Sequence, residues 1–346
     1  MSAERDLLTR AIDALASGED LSSEEAAEVL AEIMAGNAGE VQIAAFLIAL
    51  RTKGETIAEV TGLARTMREL AAHVSVPARE DLLDVVGTGG GRPTFNVSTT
   101  AALIAAGAGC TVAKHGNRSA TGLSGAADVL EALGARIDLD ADAVGRCIDE
   151  VGFGFMFAPT HHAATRHVIP VRKQLAVRTV FNFLGPLTNP AGVTRQLTGV
   201  ADRRYLETIA GAFAQLGASH VLVVSSDDGL DELSTSAPSL VIEVRDGSIG
   251  QFTITAADVG LDAAAPEELG GGTPEVNAEI TRRILAAERG APRDVAVLNA
   301  GAAIYAGGRA ETLEEGVRAA EAAIDAGKAR AVLERYVSRT KELVTA

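Results

Sequence analysis

The hydrophobic period of this chain changes once, and that change limits what it can fold into. Up to about residue 73 apolar residues recur at helical spacing only, with Leu7, Leu8, Ile12 and Leu15 on one helix face. Ser22 and Ser23 ahead of Glu25 and Ala26 form an N-cap signal for a helix running to about Met34, and 41–51 and 56–73 read as two more helices. From Asp81 onward short apolar runs alternate with helical patterns, which is the signature of an α/β sheet with parallel strands. Strands are expected at 82–86, 111–114, 153–158, 221–225 and 240–245. Helices are expected at 98–108, 126–133, 205–216, 278–288, 295–305, 313–326 and 329–338. The segment 74–80, with Pro77, reads as a hinge, so the expected division is a helical domain over 1–76 and an α/β domain over 77–346. A length of 346 residues suits two domains.

Charge narrows the function. With 31 Lys and Arg against 46 Asp and Glu the net charge is −15, which argues against a generic nucleic-acid binder because polyanion binding needs clustered basic charge. Any phosphate must therefore be held by a local device. Two cysteines, Cys110 and Cys147, cannot build a disulfide framework or a four-thiolate metal site, and both stand in apolar stretches as buried reduced thiols. The charged start MSAERDLLTR is unlike a secretory signal, and the longest mainly apolar run, 41–50, is too short to cross a bilayer. A cytoplasmic protein with no membrane partner is expected.

The chemistry is written in four stretches. In the first, Asp84-Val85-Val86-Gly87-Thr88-Gly89-Gly90-Gly91-Arg92-Pro93-Thr94-Phe95-Asn96-Val97-Ser98-Thr99, a strand empties into a glycine loop that runs into a helix. Glycines let main-chain N–H groups approach an anion, and a helix N-terminus adds unpaired donors and partial positive charge. The alternative is a tight turn with capping hydroxyls. It matches neither common nucleotide motif, since Arg92 stands where the dinucleotide fingerprint needs its last glycine and no Gly-Lys-Ser/Thr follows. A second loop, Lys114-His115-Gly116-Asn117-Arg118-Ser119-Ala120-Thr121-Gly122-Leu123-Ser124-Gly125, again joins a strand to a helix, with Lys114 and Arg118 as charge-assisted donors. Two such loops imply a ligand with two anionic ends.

The third stretch, Asp227-Asp228-Gly229-Leu230-Asp231-Glu232, follows a buried strand. Carboxylates there, in a chain with phosphate loops, suggest Mg2+ bridging to substrate oxygens, the alternative being a solvated acidic turn. The fourth holds His161, His162, His167, Arg172, Lys173 and Arg178. Its histidines meet no zinc-ligand spacing, and its basic and apolar mixture suits an organic carboxylate with a flat apolar body.

These motifs, together with Pro170-Val171-Arg172, Arg178-Thr179-Val180-Phe181-Asn182, Leu184-Gly185-Pro186-Leu187-Thr188-Asn189-Pro190, Asp228-Gly229-Leu230-Asp231-Glu232 and Val297-Leu298-Asn299-Ala300, closely resemble the anthranilate phosphoribosyltransferases of tryptophan biosynthesis, over essentially the whole chain. The resemblance implies a nucleoside phosphorylase/phosphoribosyltransferase type fold: a small all-helical domain, completed by helices at about 167–192, and a larger α/β domain with a central, mainly parallel sheet. It implies a homodimer. It assigns 5-phosphoribosyl 1-pyrophosphate (PRPP) to Gly87, Gly90, Gly91, Thr94, Asn96, Val97, Ser98, Thr99, Lys114, His115, Gly116, Asn117, Arg118, Ser119, Ala120, Thr121, Gly122 and Ala126. Anthranilate falls to Gly87, Asn117 and Arg172, and Mg2+ to Ser98, Asp231 and Glu232. No covalent nucleophile is implied; Lys114 and Arg172 act by charge and positioning. Three departures lie on the PRPP side: Gly91 replaces the usual Asp in a loop one residue shorter, and Gly122, Leu123 and Ala126 replace polar or cationic residues. The rivals are a paralogue with another aromatic acceptor, a nucleoside phosphorylase of related fold, and a non-catalytic ligand-binding member.

Overall fold

The computed structural model describes residues 6–77, 81–119 and 122–344. It opens with α1 (Leu7–Ala16), α2 (Ser23–Met34), α3 (Glu40–Lys53) and α4 (Ile57–Glu69). The Ser22 signal is realised as a capping box, with the Glu25 N–H donating to Ser22 Oγ at 3.2 Å and the Ser22 N–H donating to the Glu25 carboxylate at 2.9 Å. The α/β part follows as β1 (Leu82–Gly87), α5 (Val97–Gly107), β2 (Thr111–Gly116), α6 (Ala126–Ala132), α7 (Ala141–Val151), β3 (Phe153–Phe157), α8 (Ala158–His161), α9 (Ile169–Leu175), α10 (Phe181–Leu184), β4 (Arg195–Gly199), α11 (Leu206–Gln215) and β5 (His220–Ser226). The chain closes with β6 (Ser239–Arg245), β7 (Ser248–Ile254), α12 (Pro274–Leu285), α13 (Ala291–Ala306), α14 (Leu313–Asp325) and α15 (Lys328–Val344).

The described strands form one seven-stranded sheet in the order β3-β2-β1-β4-β5-β6-β7, parallel from β3 to β5 and antiparallel at β6 and β7. The chain builds outward from β1 on one side, then returns to lay β4 on its other side. That reversal leaves a crevice beyond the carboxyl ends of β1 and β4, where open α/β sheets place their ligands.

Several elements depart from the sequence expectation, four of them as follows. Strand β4 (Arg-Gln-Leu-Thr-Gly) was not expected, because Gln196 and Thr198 are polar; both are buried, and Gln196 donates to the Pro186 carbonyl at 2.8 Å and Thr198 Oγ1 at 2.7 Å. Strand β7 is a mostly exposed edge, and its apolar residues Ile249, Phe252 and Ile254 keep no strict alternation. Helix α7 carries a legible signal, an Asp140 N-cap with Val144, Cys147, Ile148 and Val151 buried at helical spacing, that the strand–helix alternation masked. Helix α13 starts at Ala291 rather than 295, since Pro292 is accepted in a first turn, where its missing N–H has no intrahelical role.

Two apolar cores result. One surrounds β1, β2 and β3 with α5, α7 and α13, and it buries Cys110 and Cys147, whose thiols burial pushes up to about 12. The other joins α1–α4 to Val168, Val171, Val180, Phe183, Leu184 and Leu187, then continues onto α11 and one face of β5 and β6. Residues 168–187 thus pack with the N-terminal helices.

Candidate active site

The Asp-Gly-Leu-Asp-Glu loop folds back into the crevice. Asp231 lies against the ends of both central strands: a Cβ on Gly199, which ends β4, would stand 1.6 Å from the Asp231 carbonyl oxygen, and a Cβ on Gly87, which ends β1, 2.7 Å from Asp231 Oδ2. Only glycine fits at 199, because the obstacle is main chain and cannot move aside. The Gly89 N–H donates to Asp231 Oδ2 at 2.8 Å. Behind Glu232, the Asn299 side chain on α13 grips Leu233 from both sides, accepting from its N–H at 3.0 Å and donating to its carbonyl at 2.8 Å.

Asp231, Glu232 and Ser98 line one small cavity with Gly199 and Asn299. Desolvation raises the Asp231 carboxyl, and desolvation with the like charge of Asp231 raises Glu232 well above the usual carboxylate range. Adjacent carboxylates that resist joint ionisation, beside a hydroxyl and within a cavity, form a hard-oxygen donor set that fits a magnesium-sized ion. Among the described residues no group of three or more His, Cys, Asp and Glu gathers as a metal site, so such an ion would keep positions for water and substrate oxygens.

The glycine loop is less open than its composition suggests. The N–H groups of Thr88, Gly89 and Arg92 are taken by the Gly199 carbonyl, Asp231 and the Gly229 carbonyl, which leaves those of Gly90 and Gly91 without partners among the described residues. Asn96, ahead of α5, does not cap its helix; it ties the two loops together, accepting from Ser124 Oγ at 2.9 Å and from Asn277 Nδ2 at 2.8 Å. The Ser98 N–H in the first turn of α5 is taken by the Glu232 carboxylate, whereas the Thr99 N–H lacks a capping side chain and the buried Thr99 hydroxyl has no partner among the described residues. Thr94 lies beside Glu232 and lowers its pKa, while Val97 is core.

Two expected phosphate cations are engaged elsewhere. Lys114 is buried and donates Nζ to the Val85 carbonyl; burial lowers it to about 8, against the opposing charges of Asp84 and Glu232. Its ammonium thus lies under β1, not open in the cleft as the sequence suggested. Arg118 is held by Asp128 at 2.7 Å and Glu131 at 2.5 Å, so its charge is already neutralised. Asp128 also accepts from the Ser119 N–H at 3.1 Å and the Gly125 N–H at 2.8 Å, which organises the second loop. The Gly122 N–H donates to Ser119 Oγ at 2.7 Å, and Ala126 opens α6. Ala120 and Thr121 lie outside the described residues.

On the acceptor side, Arg172 is half-buried on α9 with its guanidinium 5.4 Å from the Phe181 ring centre, and no carboxylate pairs with it among the described residues. Asn117 is exposed, its side-chain oxygen accepting from the Arg118 N–H at 2.7 Å. A feature that sequence reasoning missed is a group of buried histidines. The His115 and His162 rings stand 5.1 Å apart, and Nε2 of His115, His161 and His162 has no partner. Desolvation lowers all three, His162 to about 4, so they are neutral bases. Only their number within one stretch hinted at this.

Residues 79–330 match the glycosyl transferase family, a/b domain, and residues 9–71 match the glycosyl transferase family, helical bundle domain. Anthranilate phosphoribosyltransferase from Rubrobacter xylanophilus is 52% identical over 97% of this chain and 98% of its own length. The crystal structure of the Thermus thermophilus anthranilate phosphoribosyltransferase superposes with a TM-score of 0.91 at 46% identity, covering 96% of this chain and 99% of that one. The Saccharomyces cerevisiae enzyme in complex with PRPP and Mg gives a TM-score of 0.89 at 28% identity, covering 98% of this chain and 99% of the other.

Proposed function

The chain belongs to the anthranilate phosphoribosyltransferase family, and from that premise we propose how its residues divide the reaction. It transfers the phosphoribosyl group of PRPP to the amino group of anthranilate, giving N-(5-phosphoribosyl)anthranilate and pyrophosphate, in tryptophan biosynthesis. The bond from ribose C1 to the diphosphate oxygen breaks with its electron pair going to the diphosphate. A C1–N bond forms, and the amine nitrogen gives up a proton.

The observation that carries this reading is the carboxylate pair Asp231 and Glu232, enclosed between the ends of β1 and β4 beside the glycine loop. We assign these residues and Ser98 to Mg2+, which when bound neutralises charge that builds on the leaving diphosphate. Gly90, Gly91 and Thr99 supply main-chain donors to phosphate oxygens, and Thr99 adds an unspent hydroxyl. Lys114 acts from beneath as a buried charge set between Asp84 and Glu232. Arg172, paired with no carboxylate among the described residues and lying over the Phe181 ring, offers a planar donor fork to the anthranilate carboxylate. Holding both substrates in line accounts for much of the acceleration, and no covalent intermediate is required.

We place the domain boundary near residue 76 and the protein in the cytoplasm; no described helix is long and apolar enough to cross a membrane. A homodimer through the helical domain is carried over from the family resemblance. The activity is tested by mixing protein, PRPP, Mg2+ and anthranilate and following the loss of anthranilate fluorescence together with pyrophosphate release. Release with another amine acceptor but not with anthranilate overturns the assignment of acceptor.

A further inference from the structure

A departing diphosphate needs cationic partners, and the cations nearest the glycine loop are mostly spent. Lys114 is buried on the Val85 carbonyl, Arg118 is paired with Asp128 and Glu131, and Arg92 is paired with Asp228 at 3.0 Å and donates to the Pro266 carbonyl at 2.7 Å. Arg178 is different. It is exposed, it makes no close ion pair among the described residues although its charge acts through space on Asp231 and Asp202, and its guanidinium lies on the glycine loop, Nη1 and Nη2 donating to the Gly89 carbonyl at long distances of 3.4 and 3.3 Å. The contact is close enough that a Cβ on Gly90, whose φ is +85°, would stand 2.0 Å from Arg178 Nη1. Gly90 is therefore needed both for its backbone conformation and for the approach of this arginine.

Arg178 reaches the loop from the other core. Its own carbonyl accepts from Arg51 Nη1 on α3 at 2.7 Å, and Thr179 beside it donates its N–H to Asn182 Oδ1 at 2.8 Å, so its main chain is fixed to the helical part while its side chain lies on the α/β part. An arginine pinned at its backbone, weakly held at its tip and lying beside the open N–H groups of Gly90 and Gly91 is positioned to exchange a carbonyl for a stronger anionic acceptor. Contacts of this kind are readily given up, since a phosphate oxygen offers a charge-assisted, two-point contact that a single carbonyl does not.

We propose that Arg178 grips the diphosphate end of the phosphoribosyl donor, leaving the Gly89 carbonyl to do so. This rests on the transferase reading of the same cleft.

The experiment titrates inorganic pyrophosphate with Mg2+ into wild-type protein and into Arg178→Ala and Arg178→Lys by calorimetry, with anthranilate and PRPP kinetics alongside. Arg178 is exposed, so both variants should fold, and their melting temperatures without ligand should match the wild type. Pyrophosphate affinity should fall about 10- to 100-fold in Arg178→Ala, with partial recovery in Arg178→Lys, which keeps the charge but lacks the fork. The Michaelis constant for PRPP should rise in parallel, and that for anthranilate should stay within about twofold. Wild-type pyrophosphate affinity in a folded Arg178→Ala protein overturns the proposal while leaving the transferase reading intact. Absence of magnesium pyrophosphate and PRPP binding in the wild type overturns that reading first, and this proposal with it.

Discussion

At the scale of single residues the two ends of the cleft are separable by mutation. Arg172 has no carboxylate partner among the described residues, so Arg172→Ala removes a ligand contact without leaving a buried charge behind. A charge-assisted pair contributes about 1.5–3 kcal/mol, so the Michaelis constant for anthranilate should rise about 10- to 150-fold while PRPP binding changes little. Equal weakening of both substrates in calorimetry would make Arg172 a structural residue. Asp231→Asn and Glu232→Gln each remove an anionic oxygen from a cavity whose carboxylates already repel one another. Both should lower turnover and raise the Mg2+ concentration for half-maximal rate, with part of the loss recovered at high Mg2+. Unchanged metal dependence in both variants would return the loop to a partly solvated turn that packs against Gly87 and Gly199.

At the scale of elements, the packing of β2 against the segment after β3 stores a pH dependence. His162 is buried, and its folded-state value of about 4 lies below the ordinary 6.5, because desolvation and the neighbouring His161 disfavour its cation. The unfolded chain therefore takes up this proton first as pH falls. The stabilisation is fully present above about pH 6.5 and is lost between pH 6.5 and 4, by roughly 2–3 kcal/mol for this one group. Asp84, raised to about 6 by burial, acts in the opposite sense over part of that range, so the test is differential. Denaturant melts of wild type and His162→Asn at pH 7 and pH 4.5 should show a smaller acid loss in the variant. Equal losses in the two proteins would mean that His162 is solvated in the folded state.

At the scale of the whole molecule, ligand binding should be visible as stability, because the cleft is assembled from strand ends, the Asp231 loop and the segment carrying Arg178, which are distant in sequence and come together only in the folded chain. At ligand concentrations 100 times the dissociation constant the folded state gains about 2.7 kcal/mol. Thermal melts should therefore shift upward by a few degrees with Mg2+ and PRPP together, and much less with PRPP and a chelator. A shift of the same size with the chelator present would remove the metal from donor binding.

Much of this protein is legible in the chain as written. Helical periodicity before residue 73 and the alternation after residue 81 were enough for the fold class, because period and turn chemistry are local properties of consecutive residues, while the activity came from the resemblance of the loop motifs to a known family. The Ser22 capping box is such a case: both its hydrogen bonds run between residues three apart. Other features are contacts between distant residues, and no local signal encodes them. The polar residues of β4 are buried only because β1 and β5 flank the strand, so the switch point beside it was invisible. Lys114 and Arg118 have the composition of phosphate ligands, yet the Val85 carbonyl claims one and Asp128 with Glu131 claims the other. Arg178 looks like any surface arginine until the packing of residues 168–187 against the N-terminal helices carries it onto Gly89 and Gly90. Residue type determines which charges the chain carries, and tertiary packing decides which of them are left free to meet a substrate, because a charge satisfied within the protein has little left to offer a ligand.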